Sequence, residues 1–403
     1  MEKESKQEEN IEKLPTLNVG MVGHIDHGKT TLLWKLTGKW TDTHSEELKR
    51  GITIKLGYAD CIIRKDKETY NVKEGQATRY ITFIDAPGHE MLMATMLSGA
   101  ALIDAAVLVI AANEGIKPQT KEHLLALEAK KIKNIIIVQN KIDLVTKEQA
   151  LANYKGIKEF TKGTIAENAK IIPCSAQQEI NIDKILEELC KIDIPKRDVE
   201  SQPVFVIARS FDINKPGTKI QELNGGVLGG VLKRGKLRIG DEIEIKPGIS
   251  TKKENQLVYE TVKTKITSMF KGKYSVKEAE PGASIALETE LDPVLTKADA
   301  LSGCVASISG TLPEISTNIK IKTSLFAEVL GMSERKQVEP IKPSELLMLS
   351  INTAITVGTV KRIKDDEAEL ILRIPIVPFK GENVGIARMV SNHWRLIGFG
   401  EIL

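Results

Sequence analysis

The chain has 403 residues, of which 41% are apolar and 28% charged, with a formal net charge of +3. That length supports two or three domains with real cores, and the composition excludes a disordered chain. A charge so close to neutral excludes a polycation that holds nucleic acid by bulk attraction alone.

The four cysteines, Cys61, Cys174, Cys190 and Cys304, are scattered and form no CxxC pair. Neither a disulfide framework nor a zinc site is suggested, and a reducing, cytoplasmic setting is expected. Residues 1–16 read as a solvated tail without the apolar stretch of a signal peptide. From Leu17 short apolar runs alternate with helical patterns. LNVGMV reads as a buried strand and KTTLLWKLTG as a helix. YITFIDA is a strand, followed by HEMLMATMLSGA as a helix. AAVLVIAA, NIIIVQN and KIIPCS are further strands, separated by TKEHLLALEAKK and EQALANYKGIKEFTKGT, and INIDKILEELCKI closes the series. Apolar strands alternating with helices predict an α/β domain with a mostly parallel, doubly wound sheet over residues 17–200. The longest apolar run, starting at Ala100, is broken by Asp104 and is too short to span a bilayer, so no membrane partner is expected.

After Pro203 helical periodicity nearly disappears. PVFVIARSFDI, GGVLGGVLKRGKLRIGDEIEIKPG, ETVKTKITSMFKG and GASIALETELD are short strand-like runs broken by Gly, Pro and Asn. ELLMLSINTAITVGTVKRIKDDEAELILRIPIVPF and NVGIARMVSNHWRLIGFGEIL form a second such block. Two antiparallel β-barrel domains are expected, over residues 201–323 and 324–403. Lys233 to Lys273 holds eleven Lys or Arg against five Asp or Glu, which fits either an RNA-backbone track or a solvated barrel face.

The chemistry is concentrated in the first domain. Gly23-x-x-x-x-Gly28-Lys29-Thr30 lies between a strand and a helix, the context that a P-loop requires. Glycines let backbone N–H groups curl around phosphate oxygens, and a helix N-terminus adds positive potential. Lys29 can reach the β- and γ-phosphates, and the Thr30 hydroxyl suits Mg²⁺, which prefers oxygen. Asn140, Lys141 and Asp143 follow an apolar strand, where Asp143 could accept both hydrogen bonds from a guanine edge that adenine lacks. This points to GTP and GDP rather than ATP. Ser175, Ala176 and Gln177, after another strand, could add a backbone N–H to guanine O6. Asp85 in DAPGHE ends a strand and could hold Mg²⁺ through water, the Gly88 N–H could touch the γ-phosphate, and His89 stands where a water-orienting side chain would sit. Thr53 in RGITI offers a second hydroxyl to Mg²⁺. Tyr58 admits two roles, stacking on an RNA end or core packing.

GHIDHGKT, RGITI, DAPGH and NKID, in this order and followed by two β domains, resemble the translation GTPases related to elongation factor Tu. TGKWTDTHSEELKRGITIKLGYAD, VEPIKPSELLMLSINTAITVGTV and the closing RLIGFGEIL resemble the gamma subunits of archaeal and eukaryotic translation initiation factor 2. The resemblance implies a GTPase that carries methionylated initiator tRNA to the small ribosomal subunit as part of a heterotrimer with alpha and beta subunits. It implies that Asp26, His27, Gly28, Lys29, Thr30 and Thr31 bind the phosphates, and that Thr30 and Thr53 hold the main Mg²⁺. It further implies that Asp26 and the Gly51 carbonyl hold a second Mg²⁺, and that Ile25 and Ile52 screen the catalytic His89.

One stretch departs from the family. Its gamma subunits usually carry a four-cysteine zinc knuckle where this chain has CIIRKDKETYNVKEGQATRY. One thiolate, Cys61, cannot close a tetrahedral site, so a short β-hairpin or loop without zinc is expected there. Competing readings are an elongation-type carrier, including one for selenocysteinyl tRNA, and a nucleotide-binding scaffold that does not hydrolyse. The switch text and the end after a third domain disfavour the first; Lys29, Thr30, Asp85 and His89 disfavour the second.

Overall fold

The computed structural model describes residues 14–40, 57–85, 102–253, 256–329 and 336–403. They fall into two compact units, the first comprising Met1–Pro195, Leu325–Pro340 and Ala387–Gly398, the second Lys196–Ser324, Ile341–Ile386 and Phe399–Leu403.

The N-terminal part is a seven-stranded sheet built from β1 (Thr16–Gly23), β2 (Gly57–Asp66), β3 (Thr69–Asn71), β4 (Gln76–Asp85), β5 (Ala105–Ala111), β6 (Asn134–Asn140) and β7 (Lys170–Pro173). Its order is β3-β2-β4-β1-β5-β6-β7. From β4 to β7 the strands are parallel, and β2 and β3 extend the sheet antiparallel beyond β4. Strands in a parallel sheet are covered on both faces, which is why β1 and β5 read as unbroken apolar runs and are buried along almost their whole length. The helices α1 (Lys29–Thr37), α2 (Pro118–Ala129), α3 (Lys147–Thr161) and α4 (Ile182–Lys191) match the predicted periodic segments. Leu32, Leu33 and Leu36 of α1 enter the same core as Val19, Phe83 and Val107, each burial stabilising by about 1.5–3 kcal/mol. α3 begins in a capping box: the Gln149 N–H donates to Thr146 Oγ1 at 3.3 Å, and the Thr146 N–H donates to Gln149 Oε1 at 2.9 Å. The expected helix HEMLMATMLSGA lies outside the described residues.

Over the stretch where a short hairpin or loop was expected, this chain forms the β2–β3 hairpin, paired Arg64↔Asn71 to Asp66↔Thr69. The Cys61 side chain points into the core, and burial pushes its thiol far above the usual range. Tyr70 and Val72 pack on the hydrophobic core beside Cys190 and Ile192. Arg79, on β4, reaches the end of α4 and donates to the Leu189 carbonyl at 2.6 Å and to the Ile192 carbonyl at 2.7 Å. The last carbonyls of a helix have no partner inside it, so this buried guanidinium caps the helix from another element.

The β domains are two closed barrels. In the first, β8 (Val204–Phe211), β9 (Val227–Arg234), β11 (Glu242–Lys253), β12 (Gln256–Lys271), β15 (Ser284–Thr289) and β16 (Val305–Ile308) run in the order β11-β16-β8-β9-β15-β12. Pairing of β11 with β12 closes the ring. β13 (Tyr274–Ser275) extends β12, while β10 (Leu237–Arg238) and β14 (Glu278–Ala279) form a separate pair. The second barrel joins β17 (Ser316–Leu325), β20 (Leu346–Ile351), β21 (Ala354–Lys364), β22 (Glu367–Ile376), β23 (Asn383–Val390) and β24 (His393–Ile402) in the order β17-β22-β21-β20-β23-β24. A small ribbon of β18 (Glu328–Val329) and β19 (Lys336–Gln337) accompanies it. Closure removes the exposed strand edges that would otherwise template aggregation.

Part of the basic stretch is spent internally. Lys236 and Arg238 pair with Glu278, and Lys233 pairs with Glu382. Lys246 is buried, and its ammonium donates to the Leu312 and Pro313 carbonyls at 3.3 Å. Two carbonyls lose a charged donor in Arg79→Met, so this variant is expected to unfold in urea with about 2–3 kcal/mol less stability. A stability within about 0.5 kcal/mol of the parent would show that water replaces the cap.

Candidate nucleotide-binding site

Strand register builds the site. Met21 lies opposite Asp85 and Gly23 opposite Val109, while Ala111 lies opposite Asn140 and Gln139 opposite Pro173. The carboxyl ends of five parallel strands therefore meet at one edge, where ligands bind in doubly wound sheets. The expected glycine turn, DAPGH start, NKID and SAQ segments all begin there.

The turn after β1 is sterically committed to glycine at two places. Gly23 has φ 136°, and a Cβ there would collide with the Val109 carbonyl oxygen. Gly28 has φ 87°, and a Cβ would stand 2.5 Å from Asn140 Nδ2. The turn is tied down from several sides. The Gly23 N–H donates to His123 Nδ1 at 2.7 Å. His27, fully buried, places Nδ1 3.2 Å from the Val109 carbonyl oxygen, and burial lowers its pKa to about 4. Such an imidazole is neutral at physiological pH and donates from Nδ1. Asn140 Nδ2 donates to the His27 carbonyl at 3.0 Å. The Lys29 stem is buried, and Nζ donates to the His24 carbonyl at 2.8 Å across the turn. α1 starts at once, the Leu32 N–H donating to the Gly28 carbonyl at 2.9 Å. Asp26 has φ 60° and is exposed at the tip, while Thr31 is half-buried in the first helical turn.

Thr30 Oγ1 donates to Asp85 Oδ2 at 3.0 Å, and Asp85 is fully buried at the end of β4. A hydroxyl and a carboxylate beside a turn rich in backbone N–H groups are the hard oxygen donors that Mg²⁺ favours, so the residues present fit that ion. At the neighbouring strand end Asn140 is buried and also accepts the Ala176 N–H on Oδ1 at 3.0 Å. The Ala176 amide is therefore engaged inside the protein. Ser175 Oγ accepts the Gln178 N–H at 3.2 Å, and Gln177 is exposed. Lys141 adopts φ 59° and sits 3.7 Å from Glu114 Oε1, and the Asp143 side chain is exposed. Tyr58 lies half-buried on β2, opposite Ile84. Gly51, Ile52, Thr53, Gly88 and His89 lie outside the described residues. No group of three or more potential metal-ligating side chains occurs among the described residues.

Sequence reasoning did not single out His123 or Gln139. Gln139 Nε2 donates to the Ala150 carbonyl and to Asn153 Oδ1, both at 2.8 Å, which fastens α3 beside β6. The only local signal for either was a polar residue at a position that periodicity assigns to the core.

Comparison with known proteins agrees with this arrangement. Residues 14–194 match the family described as "Elongation factor Tu GTP binding domain", residues 225–307 "Elongation factor Tu domain 2", and residues 317–402 "Initiation factor eIF2 gamma, C terminal". Proteins named translation initiation factor 2 subunit gamma from Methanococcus maripaludis and Methanocaldococcus jannaschii are each 52% identical over 402 residues. These alignments cover 96% and 97% of this chain and 98% of each relative. One from Archaeoglobus fulgidus is 52% identical over 404 residues, covering 96% of this chain and 95% of the relative. The chain belongs to the gamma-subunit family of translation initiation factor 2. It is a GTPase of the translation type that binds guanine nucleotides, as the sequence resemblance implied.

Two solved structures share the fold at 24% identity. A bacterial selenocysteine-specific elongation factor has a TM-score of 0.76, with 96% of this chain and 58% of that one covered. The elongation factor SelB from Methanococcus maripaludis in complex with the GTP analogue GPPNHP has a TM-score of 0.71, with 96% and 79% covered. Among the described residues no helix is long and apolar enough to cross a membrane.

Gly28→Ala forces a side chain into a left-handed position against Asn140. It is expected to weaken guanine-nucleotide binding at least about ten-fold in a fluorescent-nucleotide titration. An unchanged dissociation constant would mean that the turn re-forms without glycine.

Proposed function

We propose that this gamma-family protein is the GTP-dependent carrier of methionylated initiator tRNA to the small ribosomal subunit. It works as the core of a heterotrimer with alpha and beta subunits and hydrolyses GTP to GDP and phosphate on start-site selection. The observation that carries the reading is the match to initiation factor 2 gamma subunits at 52% identity over nearly the full length of both chains. The likeness to selenocysteine-specific factors, at 24% identity, supports the shared fold only.

In this reading the backbone from Asp26 to Thr31 cradles the phosphates, and Lys29 exchanges the His24 carbonyl for phosphate oxygens. Asn140 and Lys141 shape the base pocket, and Asp143 accepts the guanine N1–H and exocyclic amine. Ser175, Ala176 and Gln177 close the base side, with the Ala176 amide acting through Asn140. Thr30 and Thr53 would hold the main Mg²⁺, Asp85 would steady it through water, and Asp26 with the Gly51 carbonyl would hold a second ion. When bound, Mg²⁺ neutralises charge on the phosphate oxygens. The Gly88 N–H senses the γ-phosphate, and His89, screened by Ile25 and Ile52, orients the attacking water. Positioning and charge stabilisation are most of phosphoryl-transfer catalysis, so the protein needs no covalent step.

The decisive experiment measures binding of charged and uncharged initiator and elongator tRNAs with a non-hydrolysable GTP analogue or GDP. Tight binding is expected only for charged initiator tRNA with the analogue. Preference for an elongator tRNA would overturn the proposal. The base contact has its own test. Asp143→Asn is expected to lose guanine affinity and turn toward xanthosine triphosphate, whose 2-oxo group accepts from an amide, as read by competition titration. Undiminished GTP affinity would remove Asp143 from the pocket.

A further inference from the structure

The first glycine of the turn carries a backbone N–H that reaches a side chain far away in the sequence. β1 ends at Gly23, and the N–H donates to the side chain of a residue one hundred positions away, His123 Nδ1, at 2.7 Å. His123 lies on α2 with 3% of its surface exposed. Gly23 is itself buried. An amide buried there without an acceptor would carry its full desolvation cost.

We propose that His123 is a positioning residue for nucleotide binding: its Nδ1 accepts the Gly23 N–H and fixes the point at which β1 turns into the phosphate cradle. The inference rests on reading the turn from Gly23 to Thr30 as that cradle. Three observations support it. Gly23 is held on its other side by the Val109 backbone, where even a methyl group would not fit, so the histidine ring completes a clamp around one peptide. α2 is itself held: the Glu122 carboxylate, next to His123 and 1% exposed, accepts from Arg395 Nη1 at 3.1 Å, and both residues belong to the first compact unit. The ring is also kept in the accepting state. Burial, followed by the Lys29 charge, lowers its pKa to about 3, so Nδ1 stays unprotonated and the ring proton sits on Nε2. His27 uses the opposite tautomer, donating from Nδ1 to Val109, so two neutral imidazoles clamp the same strand pair from a donor and an acceptor side.

A bulk role in packing and a specific role for Nδ1 are separable by substitution. Asn places its amide oxygen near the position of Nδ1, whereas Gln reaches toward the position of Nε2. The full chain and its His123→Asn, His123→Gln and His123→Leu variants would be loaded with a fluorescent GDP analogue and chased with unlabelled GDP. His123→Asn is expected to release nucleotide within about three-fold of the parent rate, and His123→Gln and His123→Leu at least about ten-fold faster. Asn and Gln variants that behave alike, whether fast or slow, would overturn the inference and leave the cradle reading intact. Failure of the parent chain to bind the analogue would overturn the cradle reading and the inference with it. If His123→Leu does not fold, the Asn and Gln pair still decides the matter.

Discussion

The site depends on one carboxamide that spends its two ends on two different loops. Asn140 Nδ2 donates to the His27 carbonyl in the glycine turn, and its Oδ1 accepts the Ala176 amide after β7. A buried amide leaves little tolerance, because any end without a partner costs the full desolvation of that group. The glycine turn and the loop after β7, the proposed phosphate and base sides, are thus fixed to each other through a single side chain at the end of β6. Gly28 must be glycine because this carboxamide occupies the space that a Cβ would need. A loop that looks flexible in composition is therefore tied down by the protein's own groups. Preorganisation of this kind lowers the ordering cost of binding.

The polar ties would be unstable in an exposed sheet. They persist because β1 and β5 are covered on both faces, so each tie operates in a low-dielectric setting where water does not compete. The same burial holds His27 and His123 neutral, and neutrality is what lets one imidazole donate and the other accept. Lys29 contributes in both directions. It is the charge proposed to meet phosphate, and it is among the causes that depress both imidazoles.

Most of the architecture was legible because it rests on periodicity. Apolar runs of strand length and helices with an apolar face predicted the parallel sheet, and the change of pattern after Pro203 predicted the barrels. The glycine turn was legible because its constraints are local: two glycines, a lysine and a threonine at fixed spacing. What escaped reading was long-range. Arg79 caps α4 across 110 positions, and Gly23 meets His123 across 100. In each case the sequence shows only one charged or titratable residue inside an otherwise buried pattern. The partner is a backbone group, which has no letter of its own. The antiparallel β2–β3 hairpin was only half legible. The single cysteine of this stretch led to the expectation of a hairpin or a loop without choosing between them, and the choice depended on Tyr70 and Val72 finding the core.

The basic stretch of the first barrel shows the same limit from the electrostatic side. Counted along the sequence, its excess of lysine and arginine looks like a track for a phosphate backbone. In the fold Lys233, Lys236 and Arg238 face carboxylates that lie up to 149 residues away, and Lys246 is buried against main-chain carbonyls. A cation already paired with a carboxylate releases fewer counterions when a phosphate approaches, so it adds little to the salt-dependent part of RNA affinity. Local charge density in a sequence is therefore an upper bound on the field that a surface presents. For this barrel the bound is well above what remains, since the separate pair of β10 and β14 supplies Glu278 to two of the cations at once. An RNA-binding face here would have to draw on the cations that the barrel does not pair, and these are set by topology rather than by composition.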